Sequence, residues 1–287
     1  MVVEVNGFTM MGLNNNIGFL GAGNISQSII AGLMYAKAIS PQNIFVSNRT
    51  EGKLQKVAAE FGVNVVKNNE ELFTQCQTII VGVKPVDLTE TLEPLSNCLE
   101  DYHYLVSLAA GVPLEKLHKI MRHDYWARVM PTIGARTGSS VSGLITDSDD
   151  ETFTSRVEAL FAHVGSVYRC DAEEQFDALM VATSSGIGFV IELMLYWQEW
   201  LEEHGFSAEE AKQATIKTFF AASTTALSTN LKESNLSFTD LINKVASKKG
   251  VTQAGLDSMR ELETERTLRM SFDKALLRTQ QIVKSQK

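Results

Sequence analysis

A four-residue apolar run, Ile17–Leu20, passes straight into Gly21-Ala22-Gly23. A stretch with helical spacing of apolar residues follows, Ile29, Ile30, Leu33 and Met34 within Ile25–Ala38. A glycine turn between a buried strand and a helix N-terminus is the setting of a dinucleotide fingerprint. Gly21 permits the tight turn, and Gly23 lets the backbone approach a pyrophosphate. The helix opening at Asn24 and Ile25 offers free N–H groups and a positive dipole end to phosphates. The third small position holds Ser26 where Gly or Ala is usual. The competing reading of the same glycines is a turn chosen only for helix–strand packing.

The alternation continues. Strand-like runs at Ile44–Ser47, Val63–Val66, Thr78–Val83, Tyr104–Leu108 and Trp126–Met130 are separated by helical patterns at Lys53–Phe61, Asn69–Cys76, Leu88–Leu99 and Leu114–Met121. Repeated strand–helix–strand units predict an α/β fold, a doubly wound parallel sheet with helices on both faces. The strands are continuously apolar rather than alternating, as burial on both faces requires. From about Asp171 the strand signals stop. Ala172–Gly205 is one helical pattern, broken only at Thr183–Gly188, and Phe189–Leu201 is apolar nearly all round. Such a helix cannot face water on any side, which predicts a partner subunit. Ser207 and Glu210 fit a capping box for the next helix. The expected organisation is a leader over 1–15, a nucleotide-binding domain over 16–170 and an all-α domain over 171–287.

Which nucleotide binds is read at the end of the second strand. An NAD site places a carboxylate there for the ribose 2′-OH. Here the strand ends Ser47-Asn48-Arg49-Thr50. A hydroxyl, an amide and a guanidinium suit a 2′-phosphate, Arg49 through charge-assisted bonds, so NADPH is expected to bind better than NADH. Composition narrows the remaining classes. With 26 Lys+Arg against 34 Asp+Glu, the net charge of −8 argues against a nucleic-acid partner. Uninterrupted apolar stretches fall short of the roughly 18 residues of a membrane span, so no membrane partner is expected. Cys76, Cys98 and Cys170 are far apart and form no CxxC, which fits thiols in a reducing compartment and predicts a cytoplasmic protein. The five histidines show no HxxH or HExxH spacing, so no metal is expected.

The motifs IGFLGAGNIS, SNRT, Asn69, Val83-Lys84-Pro85, SLAAGV at Ser107–Val112, RVMP at Arg128–Pro131, GFSAEEA from Gly205 and VASKKGVTQAGL from Val245 occur in order from Ile17 onward. Together they resemble the pyrroline-5-carboxylate reductases of proline biosynthesis. The resemblance implies a Rossmann-like domain followed by an all-α dimerisation domain, in a homodimer or higher homo-oligomer. It implies NADPH-dependent reduction of a cyclic imine carboxylate, 1-pyrroline-5-carboxylate, to L-proline. It puts Val83, Lys84 and Pro85 at the nicotinamide ribose, and Asn69 near the adenosine. Ala109 and Ala110 would lie beside the nicotinamide ring, with Met130 bordering ring and substrate. For Lys84 a solvated loop lysine, and for Asn69 a helix N-cap, are the plainer alternatives. The substrate carboxylate would fall to Ser247, Gly250, Val251 and Thr252, with the Thr252 hydroxyl orienting the ring.

The substrate half departs from the family pattern. In the loop Ser247–Thr252, Lys248 and Lys249 replace a proline and a glycine. Thr132-Ile133-Gly134 replaces Asn-Thr-Pro, Ile187 replaces a proline in the helix break, and Leu195 stands where a glutamate is usual. Two alternatives stay open: a related imine or small-carbonyl reductase with a more anionic substrate, or a dinucleotide-binding paralogue with a regulatory role and little turnover.

Overall fold

The computed structural model describes residues 16–232 and 236–285; the leader expected over 1–15 lies outside them. Strands and helices alternate as β1 Ile17–Leu20, α1 Asn24–Tyr35, β2 Ile44–Ser47, α2 Glu51–Phe61, β3 Asn64–Val65, α3 Asn69–Gln75, β4 Thr78–Val81, α4 Leu88–Leu92, β5 Tyr104–Ser107, α5 Leu114–Ile120 and β6 Trp126–Met130. Then come β7 Ser140–Thr146, α6 Glu151–Ala162 and β8 Gly165–Arg169, and only helices follow: α7 Glu173–Met180, α8 Gly186–Glu203, α9 Ala208–Lys232, α10 Phe238–Val245, α11 Val251–Glu261 and α12 Thr264–Ser285.

One eight-stranded sheet has the order β3-β2-β1-β4-β5-β6-β7-β8. Every pair is parallel except β6–β7, which is antiparallel. The expected sheet is therefore extended by two strands and is not wholly parallel. Both additions were hidden by composition. β8 reads GSVYR and is half-exposed at the sheet edge, and β7 carries three polar side chains in seven residues. The chain order reverses between β1 and β4, and a crevice beyond the strand ends at such a switch point is where α/β sheets bind ligands.

Each face of the sheet packs a separate core. Ile17 and Phe19 of β1 and Ile80 of β4 join Ile29, Ile30 and Leu33 of α1 on one side. Leu20, Ile79 and Val81 join Leu72, Phe73 and Leu117 on the other. Successive side chains of a strand point to opposite faces, so a strand covered on both faces is apolar at most positions, and a polar side chain buried there, such as Arg128 of β6, needs partners. Burying each such side chain contributes about 1.5–3 kcal/mol.

The chain groups into two compact units. One gathers the residues up to Ser184 with those from Leu276 onward; the other is Ser185–Ala275. Helix α7 groups with the sheet, past the boundary at residue 170 expected from where strand signals stop, because Phe176 packs against Gly143 of β7. The last turns of α12 also belong with the sheet. A Cβ on Gly111, which sits at φ 69°, would stand 3.4 Å from both the Thr279 carbonyl oxygen and Ile282 Cγ2.

In the second unit α8 and α9 pack together, with Trp197 edge-on to Phe219 at 5.4 Å. Large apolar side chains nonetheless stay exposed in this unit, among them Ile191 and Trp200 of α8, Phe220 of α9 and Met270 of α12. From Glu173 to Glu203 the helix is one 31-residue run, long and apolar enough by length and composition to cross a membrane. The uninterrupted apolar stretches within it stay short, because small polar residues such as Thr183, Ser184 and Ser185 interrupt an apolar count without interrupting a helix.

Candidate active site

The first turn is built as a cradle. Gly21 has φ 109°, and a Cβ there would lie 2.9 Å from the Gly82 backbone. Its N–H donates to the Ser47 carbonyl at 2.8 Å, and the Gly82 N–H donates to Leu20 O at 2.9 Å. The β1, β2 and β4 ends are thereby tied into one rim. Gly23 is the N-cap of α1, with no side-chain cap. A Cβ on it would meet nothing nearer than Gly82 O at 3.9 Å. The first in-helix bond is Gln27 N–H to Gly23 O at 3.0 Å. The amides of Asn24, Ile25 and Ser26 precede it, as the orphan donors of a helix start do. An open Cβ position beside unpaired amides at a positive dipole end fits a pyrophosphate.

Ser26 in the third small position is fully buried, and its hydroxyl finds no hydrogen-bond partner among the described residues. It faces Gly82, where a Cβ would strike the Ser26 Oγ. The serine fits because the opposing residue has no side chain, a pairing that period and composition do not reveal.

Ser47 and Asn48 are already engaged. The buried Ser47 hydroxyl donates to Asn69 Oδ1. Asn48 Oδ1 accepts from the Ala22 N–H at 3.2 Å, and its Nδ2 donates to Thr50 O at 3.2 Å. The Asn48 side chain braces the glycine turn and the Ser47 hydroxyl ties β2 to Asn69, while Arg49 and Thr50 stand exposed beyond them. Asn69 opens α3 but does not cap it. The N-cap is Asn68, whose oxygen accepts from Glu71 N–H at 3.0 Å. The Asn69 carboxamide is thereby aligned from the Ser47 side.

Strand β4 stops at Val81, leaving Gly82 and Val83 in the loop. Lys84 is exposed and precedes a 3-10 turn opened by Pro85, closed by Asp87 N–H to Lys84 O at 2.9 Å. Ala109 is buried, and its N–H donates to Ser107 Oγ at 3.3 Å; Ala110 is half-buried beside Gly111. Met130 ends β6, half-buried. The first unit thus has Gly21–Ile25, Ser47–Arg49, Asn69, Val83–Pro85, Ala109–Ala110 and Met130 at the C-terminal ends of β1 to β6 or in the segments just after them.

The remaining expected residues lie in the second unit. Ser247–Gly250 is a turn closed by Gly250 N–H to Ser247 O at 2.9 Å, and Gly250 caps α11. Lys249 stands at φ 62°, the left-handed region that glycine enters freely and Lys resists. The turn keeps a glycine-like path with a lysine in it. The amides of Val251 and Thr252 precede the first in-helix bond, Ala254 N–H to Gly250 O at 3.2 Å. Both residues are exposed. Two free amides and a hydroxyl at a helix start suit a carboxylate.

The proline-less break is a five-residue π segment, Val181–Ser185, that joins α7 to α8 without interruption. No group of three or more His, Cys, Asp or Glu side chains with metal-site geometry occurs among the described residues.

Similarity to known proteins spans both halves of the chain. A curated pyrroline-5-carboxylate reductase from Aquifex aeolicus is 31% identical over 253 residues, 87% of this chain and 90% of the relative. The chain belongs to the pyrroline-5-carboxylate reductase family. Two family descriptions match in succession, "NADP oxidoreductase coenzyme F420-dependent" over residues 16–111 and "Pyrroline-5-carboxylate reductase dimerisation" over 173–282. Among solved structures, a pyrroline-5-carboxylate reductase from Coxiella burnetii superposes with a TM-score of 0.84 at 25% identity, covering 93% of this chain and 98% of that one. A Plasmodium falciparum pyrroline carboxylate reductase with NADP bound shares the fold, with a TM-score of 0.81 at 20% identity and coverage of 94% and 98%.

Proposed function

We propose that this chain reduces 1-pyrroline-5-carboxylate to L-proline with NADPH, as a homodimer or larger homo-oligomer in the cytoplasm. The observation that carries the reading is the identity to a named reductase across 87% of the chain, spanning both halves. Three free thiols, two of them buried, suit a reducing compartment. The dimerisation description over 173–282 and the exposed apolar side chains of α8 and α9 favour a second copy as their cover.

Gly21–Ile25 take the pyrophosphate on the α1 amides. Arg49 holds the 2′-phosphate, with Ser47 and Asn48 fixing the turn that presents it. Asn69 meets the adenosine end, Val83, Lys84 and Pro85 the nicotinamide ribose, and Ala109 and Ala110 the ring, with Met130 at its border. NADPH, when bound, supplies a hydride to the imine carbon. Ser247, the amides of Gly250 and Val251, and Thr252 hold the substrate carboxylate, and Thr252 orients the ring. A protonated C=N is electrophilic by itself, so alignment is the residues' main task.

The deciding experiment follows NADPH consumption and proline formation with 1-pyrroline-5-carboxylate as substrate. Stoichiometric proline is expected. NADPH binding without turnover of this or any other cyclic imine would overturn the reading in favour of a dinucleotide-binding paralogue.

A further inference from the structure

Arg128 has no task in the reading above, yet it is the most deeply placed charge in the sheet unit. It is the third residue of β6 and 2% exposed. Its Nη1 pairs with Glu173 Oε2, its Nη2 lies 3.6 Å from Asp177 Oδ1, and its guanidinium stacks 4.3 Å over the Phe176 ring. Glu173 also receives the Leu114 N–H at 2.9 Å. Residues 173, 176 and 177 share one face of α7, so a single side chain engages that whole face. Burial pulls the Arg128 pKa down to about 10, which leaves it charged at neutral pH. Among the described residues, Arg128 Nε and Nη2 and Asp177 Oδ1 find no hydrogen-bond partner.

A buried, incompletely satisfied ion cluster is a poor source of stability; well-packed apolar replacements often do as well or better. Its attested use is to fix register. The register here has a second fixing point. α7 continues without interruption into the π segment, whose Ser184 Oγ donates to the Pro131 carbonyl at 3.5 Å. From Arg128 to Pro131 is three strand residues, about 10 Å. From Asp177 to Ser184 is seven helical residues, also about 10 Å. Helix and strand are matched in length between two pins.

We propose that Arg128 is a positioning residue: it sets the register of α7 and the π segment against β6, and so holds Met130 and Pro131 at the ligand end of that strand. The catalytic part of the inference rests on the proposed function, in which Met130 borders the nicotinamide and the substrate.

The test uses the full-length protein with Arg128→Met/Asp177→Leu, an apolar replacement, and Arg128→Lys, which keeps the charge but loses the planar fork. The expected result is a folded double variant with NADPH affinity within about twofold of wild type. Amide exchange at residues 181–185 becomes about tenfold faster, while β1, β4 and β5 are unchanged. With kcat about tenfold lower and KM little changed, the loss is one of alignment. Wild-type exchange at 181–185, or wild-type kcat despite faster exchange, in a folded variant overturns the proposal. If the double variant does not fold, Arg128→Lys decides by the same two readouts. If wild type fails to turn over the imine, the proposed function falls, and exchange at 181–185 alone decides the register claim.

Discussion

At the residue scale, the cofactor preference narrows to Arg49. Ser47 and Asn48 are bonded to Asn69 and the glycine turn, so under the proposed function the 2′-phosphate falls to Arg49. A hydrogen bond to a charged group is worth about 1.5–3 kcal/mol. Arg49→Ala is expected to weaken NADPH by about tenfold or more and NADH much less, as read by fluorescence titration; equal losses would remove Arg49 from the 2′-phosphate. Under the proposed function, Thr252→Ala removes one charge-assisted bond to the substrate carboxylate. It should lower kcat/KM for the imine by roughly 10- to 150-fold with little change in NADPH affinity, and an unchanged kcat/KM places the carboxylate elsewhere. The glycines were legible because a turn before a helix leaves them few alternatives. The bond from Ala22 to Asn48 and the fit of Ser26 against Gly82 were not. They join residues far apart in the chain through single atoms, with no period to betray them.

At the element scale, the mostly apolar strands were legible in the sequence within a residue or two, because burial on both faces leaves few polar positions. β7 and β8 escaped for the opposite reason, being polar enough to resemble loop. The acidic run before α6 has a defined task. Asp150 caps that helix, accepting from Thr152 and Phe153 N–H at 2.7 and 3.3 Å. The Phe153 bond first, then that from Thr152, hold its carboxyl below the usual range. A folded pKa below the unfolded value near 3.9 means the cap stabilises fully above that value and is lost as pH falls through the folded one. Asp150→Ala should therefore lower Tm at neutral pH and reduce the drop in Tm that wild type shows on acidification below about pH 4. An identical acid arm in variant and wild type would show that the cap does not contribute. The absence of a proline at Ile187 is legible in the sequence, but the π segment at Val181–Ser185 is not, because it depends on how the helix closes its own hydrogen bonds.

At the scale of the whole molecule, the apolar character of α8 was legible, and its exposure in a single chain makes assembly the expected state. Leu195 of α8 is 42% exposed. A buried aspartate without a partner is costly, so Leu195→Asp is expected to give aggregate or unfolded chain by light scattering and calorimetry. A stable, soluble monomeric wild type would contradict the assembly. The division at Ser184 was less legible, since α7 is as helical in pattern as α8 and only its packing assigns it to the sheet. The same grouping returns the end of α12 to the loop at Gly111, where Thr279 and Ile282 lie against it. The nucleotide-binding unit is therefore discontinuous in the gene. A ribosome that has finished all eight strands has not yet made the turns of α12 that complete the packing at Gly111. Nascent chains stalled before Leu276 carry every strand yet leave that loop uncovered, so the packing at Gly111 waits until the end of α12 has been made.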